Sequence, residues 1–130
     1  MLLILTDQES DRGIDLLKKL VETAQIQKYT IFNSLASEES DLKKDFWSKI
    51  KETNPLVILT AGNLSTRLLL GLKKGMKLGD SVGKIHIRDW TPSWIIPIYG
   101  GTYLLQRGKK NSEEVLKLLC SINKKRLKND

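Results

Sequence analysis

Apolar and polar positions follow two rhythms along this chain, and the rhythms alternate. Leu2-Leu3-Ile4-Leu5 is a continuous apolar run, the pattern of a strand buried on both faces. Residues 6–12 are polar and loop-like, with Ser10 or Asp11 placed to cap a helix. Leu16, Leu17, Leu20, Val21 and Ala24 then recur at helical spacing, opposite Lys18, Lys19 and Glu22. Tyr29-Thr30-Ile31-Phe32 is β-branched and aromatic and predicts a second strand that ends at Asn33-Ser34. Ser37-Glu38-Glu39-Ser40-Asp41 carries the acidic first turn of a helix. That helix turns Leu42, Phe46, Trp47 and Ile50 inward, and Asn54-Pro55 stops it.

The second half repeats the theme. Residues 56–59 are apolar throughout and predict a central parallel strand. Residues 64–72 predict a helix with Leu64, Leu68, Leu69 and Leu72 as its buried stripe. Gly75, Gly79 and Gly83 mark an exposed connection over residues 73–83. In residues 84–88, Ile85 and Ile87 alternate with His86 and Arg88, which predicts a strand with His86 on its solvated side. Residues 94–98 form the last strand, running into a glycine turn at Gly100-Gly101 and a basic continuation at Arg107. Trp90 and Trp94 flank the turn at Pro92, as packing or as a partner surface. Asn111-Ser112-Glu113-Glu114 opens a final helix with Val115, Leu118, Leu119 and Ile122 inward, before a basic, solvated tail over residues 124–130.

Strands alternating with helices of this length imply right-handed crossovers. The predicted fold is a single α/β domain over residues 1–130. It has three α/β/α layers and a central four- to five-stranded, mostly parallel sheet. In such sheets ligands bind at the carboxyl ends of the strands, so the turns after residues 59 and 98 are the places to look for chemistry.

Composition narrows the function. No apolar run reaches the roughly 20 residues of a membrane span, and Met1-Leu2-Leu3-Ile4-Leu5 lacks the basic start of a signal peptide. Cys120 is the only cysteine, which excludes an internal disulfide and a cysteine-ligated metal cluster. It is expected to be buried and inert, and a reducing intracellular setting fits. No metal or cofactor is expected. Twenty-two basic against fifteen acidic residues give a formal charge of +7, which makes a polyanion partner plausible.

The order of motifs resembles the uracil-DNA glycosylase superfamily, most closely its compact bacterial and archaeal branch. Asn54-Pro55-Leu56-Val57-Ile58-Leu59-Thr60-Ala61-Gly62-Asn63 is similar to that family's KPKVIVALGN strand-turn, and residues 68–71 to the ALLG that ends the following helix. Ile96-Pro97-Ile98-Tyr99-Gly100-Gly101-Thr102-Tyr103-Leu104-Leu105-Gln106-Arg107 is similar to VPLYHPSYLLR. Residues 13–24 look like the GRLLDELL helix, and the strand ending at Asn33 resembles the one that carries the base-reading asparagine. The likeness runs from residue 2 to about residue 119.

The departures bear on activity. The family's charge-stabilising histidine corresponds to Gly100 and its proline to Gly101, while Thr102 keeps a hydroxyl. The first loop is far shorter than the family's, and neither GxDPYH nor GEAPG is present. Losing one such electrostatic donor typically costs about 10²–10³ in rate. Asp7 and Asn33 are therefore vestigial catalytic candidates at most. The resemblance implies a non-catalytic, glycosylase-like subunit of a DNA replication complex, viral or phage in type. Such a subunit contacts DNA without reading sequence, tethers a DNA polymerase or another replication protein, or does both.

The expected DNA contacts are the turns at Gly62, Asn63, Gly100, Gly101 and Thr102, with the Ser65 and Thr66 hydroxyls. Arg67, Arg107, Lys109 and Lys110 supply charge, and Tyr103 or Leu104 a wedge. The alternatives are a residual glycosylase or repair hydrolase using Asp7 and Asn33, and a purely structural protein-interaction subunit.

Overall fold

The computed structural model describes residues 1–75 and 77–128. Along them the chain runs β1 (Leu2–Asp7), α1 (Asp11–Thr23), β2 (Tyr29–Ser34), α2 (Glu39–Thr53), β3 (Val57–Ala61) and α3 (Asn63–Leu70). A 3-10 turn (Leu78–Asp80), β4 (His86–Arg88), β5 (Thr91–Ile98), α4 (Gly101–Arg107), α5 (Lys109–Ile122) and a π-helical turn (Asn123–Leu127) follow. The strands form one sheet in the order β2-β1-β3-β5-β4, with only the edge strand β4 antiparallel. This is the expected three-layer, mostly parallel α/β/α architecture.

Period-two alternation in the central strands sorts the side chains into two cores. Leu2, Ile4, Val57, Leu59, Ile96 and Ile98 pack with α1, α4 and α5 through residues such as Leu17, Val21, Leu104 and Leu119. Leu3, Leu5, Ile58 and Ile95 face α2 and α3, where Leu42, Phe46, Ile50, Leu69 and Leu70 cover them. β1 and β3 are buried on both faces, which is why they read as unbroken apolar runs. Ser10 caps α1 by accepting the Gly13 N–H at 3.0 Å. Asn54 ends α2 in the left-handed conformation that asparagine tolerates.

The structure departs from the sequence pattern at several places. Residues 101–107 form a helix rather than a loose turn and tail. The α3 stripe is rotated, with Ser65, Thr66, Leu69 and Leu70 buried and Leu64, Leu68 and Leu72 only partly so. Hydroxyl bonds make this possible: Thr66 pairs with Thr60 at 2.9 Å and Ser65 with Asp7 at 2.8 Å. In β4 the alternation is inverted. His86 lies opposite Ile95, on the face of the second core, while Ile85 and Ile87 stand 47% and 64% exposed.

Trp47 is half-buried and packs on Trp90, with ring centroids 4.5 Å apart. Cys120 is exposed. The connection before β4 is anchored by Gly83 N–H to Pro97 O at 2.9 Å, and Ser81 within it is buried. The basic tail is not free: Leu127 is buried, and Arg126 donates to Leu56 O at 3.1 Å and Pro92 O at 2.8 Å while covering the Trp94 ring. Its last two residues, 129–130, lie outside the described residues.

Candidate functional site

The sheet order reverses direction between β1 and β3, so the carboxyl ends of these strands flank the crevice where doubly wound sheets bind ligands. Here that crevice is closed by the chain itself. β1 ends at Asp7, whose Oδ1 accepts the Ser65 hydroxyl from the first turn of α3. Gln8 follows with φ 49°, a left-handed kink that turns the chain across the sheet edge. Asn33 then ties the kink to β2. Its Oδ1 accepts from the Thr6 hydroxyl at 2.8 Å and the Glu9 N–H at 2.9 Å, and its Nδ2 donates to Glu9 O at 3.0 Å. Both ends of the Asn33 amide are therefore committed to the loop.

Glu9 is the residue the sequence reasoning missed. Its Oε1 accepts the Thr102 N–H at 2.8 Å and also the Thr102 hydroxyl, at the start of α4. The Thr102 hydroxyl further meets Ser10 Oγ at 3.0 Å. A carboxylate placed there satisfies a donor left open at the helix start and complements its dipole. The signal was present in the sequence: α4 opens on Gly-Gly-Thr with no acid of its own, while the shortened first loop carries one.

Gly100 and Gly101 serve this closure. A side chain on Gly101 would collide with the backbone of Gly13 in α1, and one on Gly13 would lie 2.8 Å from Thr102 N. Both Gly13 and Gly101 are sites of close approach between α1 and α4. Of the expected backbone-gripping groups, Ser65, Thr66 and Thr102 thus bond within the protein, and Gly101 is buried. Gly62 keeps its left-handed φ of 103° and donates its N–H to Ile98 O, and Asn63 is exposed. Arg67 pairs with Glu39 at 2.7 Å, which holds the Glu39 carboxyl below its ordinary value.

The other expected contacts lie along α4 and in the first turn of α5. Tyr99 and Tyr103 stack with centroids 4.5 Å apart and planes 18° from parallel. One turn on, the Arg107 guanidinium lies 5.5 Å from the Tyr103 ring centre. Tyr103 and Leu105 are exposed, while Leu104 is buried, so of the two wedge candidates only Tyr103 faces outward. After Gly108, at φ 82°, Lys109 and Lys110 stand exposed in the first turn of α5. No side chain caps that turn, and it holds no acidic residue. Two cations at a helix N-terminus oppose the dipole, so this arrangement is locally unfavourable.

Among the described residues no cluster of three or more His, Cys, Asp or Glu is placed to hold a metal ion, and no helix is long and apolar enough to cross a membrane. Neither a protein-family model nor a curated protein matches the chain.

Proposed function

We propose that this chain is a non-catalytic, glycosylase-like module that holds DNA by its backbone and tethers a replication protein such as a DNA polymerase. The single observation that carries the DNA half is the exposed pair of Tyr103 and Arg107, backed by the half-buried Tyr99 and followed by Lys109 and Lys110 at an uncapped helix start. Aromatic faces accept stacked bases or sugars of any sequence, and the cations and open amides take phosphates. Lysines at the unfavourable end of a helix make sense where an anion arrives to meet them. The replication setting rests on the motif resemblance alone. A tethering surface is offered by Ile85, Ile87 and Trp90, all exposed along the β4 edge.

The non-catalytic reading is supported by Asp7 and Asn33, both engaged in holding the loop. The test is binding of duplex and primer–template DNA at several salt concentrations, comparing the wild type with an Arg107→Glu/Lys109→Glu/Lys110→Glu variant. Each phosphate that is no longer neutralised lowers the salt slope by about 0.9 on duplex DNA. Wild-type protein that fails to shift either DNA at low salt overturns the DNA half. Co-elution with the polymerase of the same source, abolished in Ile87→Glu, tests the tether. Alkali-labile cleavage of a uracil-containing oligonucleotide, abolished by Asp7→Ala, would favour the hydrolase alternative instead.

A further inference from the structure

At the opposite end of the sheet, beside the amino ends of β1 and β2, a cleft of about 510 Å³ opens between the end of α1 and the π-helical turn. This size falls within the roughly 300–1,000 Å³ range of small-molecule sites. Its apolar floor is Ala24, Ile26 and Leu127, all buried. Lys28, Lys124 and Lys128 line it, and among the described residues no acidic side chain does.

Two departures from local rules meet there. Gln25 holds φ 63° just past α1, where the closing bonds Gln25 N–H to Glu22 O and Ile26 N–H to Val21 O are those that glycine ordinarily supports. A side chain retained in that conformation is strained, and such strain collects at functional positions. The π-helical turn is the second departure, since π turns are rare and frequent at binding sites. This one places Asn123 against Ala24 O at 3.3 Å and carries the chain through Lys124 to Lys128 along the cleft. Favourable placement of cations at a helix C-terminus accounts for Lys124 and Lys128. It does not account for Lys28 or for Gln25.

The geometry points to a binding site for a phosphorylated small molecule of nucleotide size. The three ammonium groups meet its phosphates as point charges. Gln25 reads a polar edge of the remainder, which lies over the apolar floor. A half-open cleft with an apolar floor and an exposed basic rim suits a compact ligand better than the convex backbone of a duplex. The site is separate from the α4–α5 face, so each can fail without the other.

Cys120 lines the same cleft, is exposed, and is the only thiol in the chain, so its alkylation rate reports occupancy. The experiment measures that rate in the full chain with and without pyrophosphate and, separately, ATP, at constant ionic strength set by sodium chloride. Each protein is compared only with itself, because charge reversal changes the thiol's own reactivity. A ligand at ten times its dissociation constant should slow alkylation about elevenfold. The protection should vanish in Lys28→Glu/Lys124→Glu, confirmed folded by its melting curve. It should weaken in Gln25→Gly, which relieves the backbone strain and so cannot fail through unfolding. DNA binding should persist in both variants. No protection by either probe overturns the site, as does equal protection in the charge-reversed protein.

Discussion

Removing the Glu9 carboxylate tests how the carboxyl edge of the sheet is held. Glu9 accepts two hydrogen bonds from Thr102 and faces the N-terminus of α4. Hydrogen bonds to a charged group contribute roughly 1.5–3 kcal/mol each when buried, and a helix cap about 1 kcal/mol. Glu9 is only half-buried, so solvent recovers part of this. Glu9→Ala is therefore expected to cost about 2–3 kcal/mol, a melting shift of roughly 8–12 °C for a domain of this size. Glu9→Gln keeps an acceptor but loses the charge, and should cost about 1 kcal/mol. Urea unfolding followed by circular dichroism gives the free energies, and amide exchange at Thr102 localises the effect. A double-mutant cycle with Thr102→Val should show coupling of at least about 0.5 kcal/mol. A Glu9→Ala cost under about 0.5 kcal/mol, or an unchanged Thr102 exchange rate, would refute the capping role.

Gly101→Ala should destabilise by about 2–4 kcal/mol, because its methyl group meets the Gly13 backbone rather than a movable side chain; a neutral effect in urea unfolding would show that α1 and α4 are free to separate. Arg126→Ala should cost about 2 kcal/mol by removing bonds to two carbonyls and the cover over Trp94, and a cost within error would return residues 124–128 to a solvated tail. His86 is held below its ordinary 6.5, first by burial and then by the charges of Arg88 and Lys84, against a backbone hydrogen bond with Ser81. Its Nε2 is shut off from solvent with no partner among the described residues. The folded protein thus binds fewer protons at this site than the unfolded chain, so stability declines as pH falls below about 6.5. His86→Gln should flatten that decline, and an identical pH slope in the variant would rule out His86 as its source.

The layers were legible because the strands announce their burial. β1 and β3 each open on an unbroken apolar run, Leu2 to Leu5 and Val57 to Leu59, and the helices between them carry a single stripe, so the pattern alone yields a parallel sheet with helices on both faces. The edges were not. His86 and Ile87 follow the strand period, but period two does not say which side faces the core. Only the pairing of His86 with Ile95 decides it. The stripe of α3 is hidden from the sequence for a related reason: Ser65 and Thr66 look like surface residues until their hydroxyls find Asp7 and Thr60. Arg126 looked solvated because its partners are carbonyls 34 and 70 residues away. At the candidate site, the positions of Asn33, Thr102 and Arg107 were readable, but the roles of Asn33 and Thr102 depended on Glu9, whose partner lies 93 residues on.

The placement of carboxylates decides where an anion can approach. At the carboxyl edge, Asp7 lies against the first turn of α3 and Glu9 against the first turn of α4. A phosphate moving in would displace a bonded carboxylate and meet like charge beside it. At α5 the order is reversed: the first turn has no acid, no side-chain cap, and Lys109 and Lys110 beside Arg107. If the first place were where DNA binds, neutralising it with Asp7→Asn/Glu9→Gln would strengthen binding sharply and steepen its salt dependence, since two like charges beside the phosphates would be gone. If DNA binds at the second place, that double variant leaves the slope unchanged, whereas Arg107→Glu/Lys109→Glu reduces it by about 0.9 for each phosphate left without its cation. Measuring both slopes on one duplex separates the two. A flat response to Arg107→Glu/Lys109→Glu together with a steeper slope in Asp7→Asn/Glu9→Gln would move the DNA face back to the strand ends.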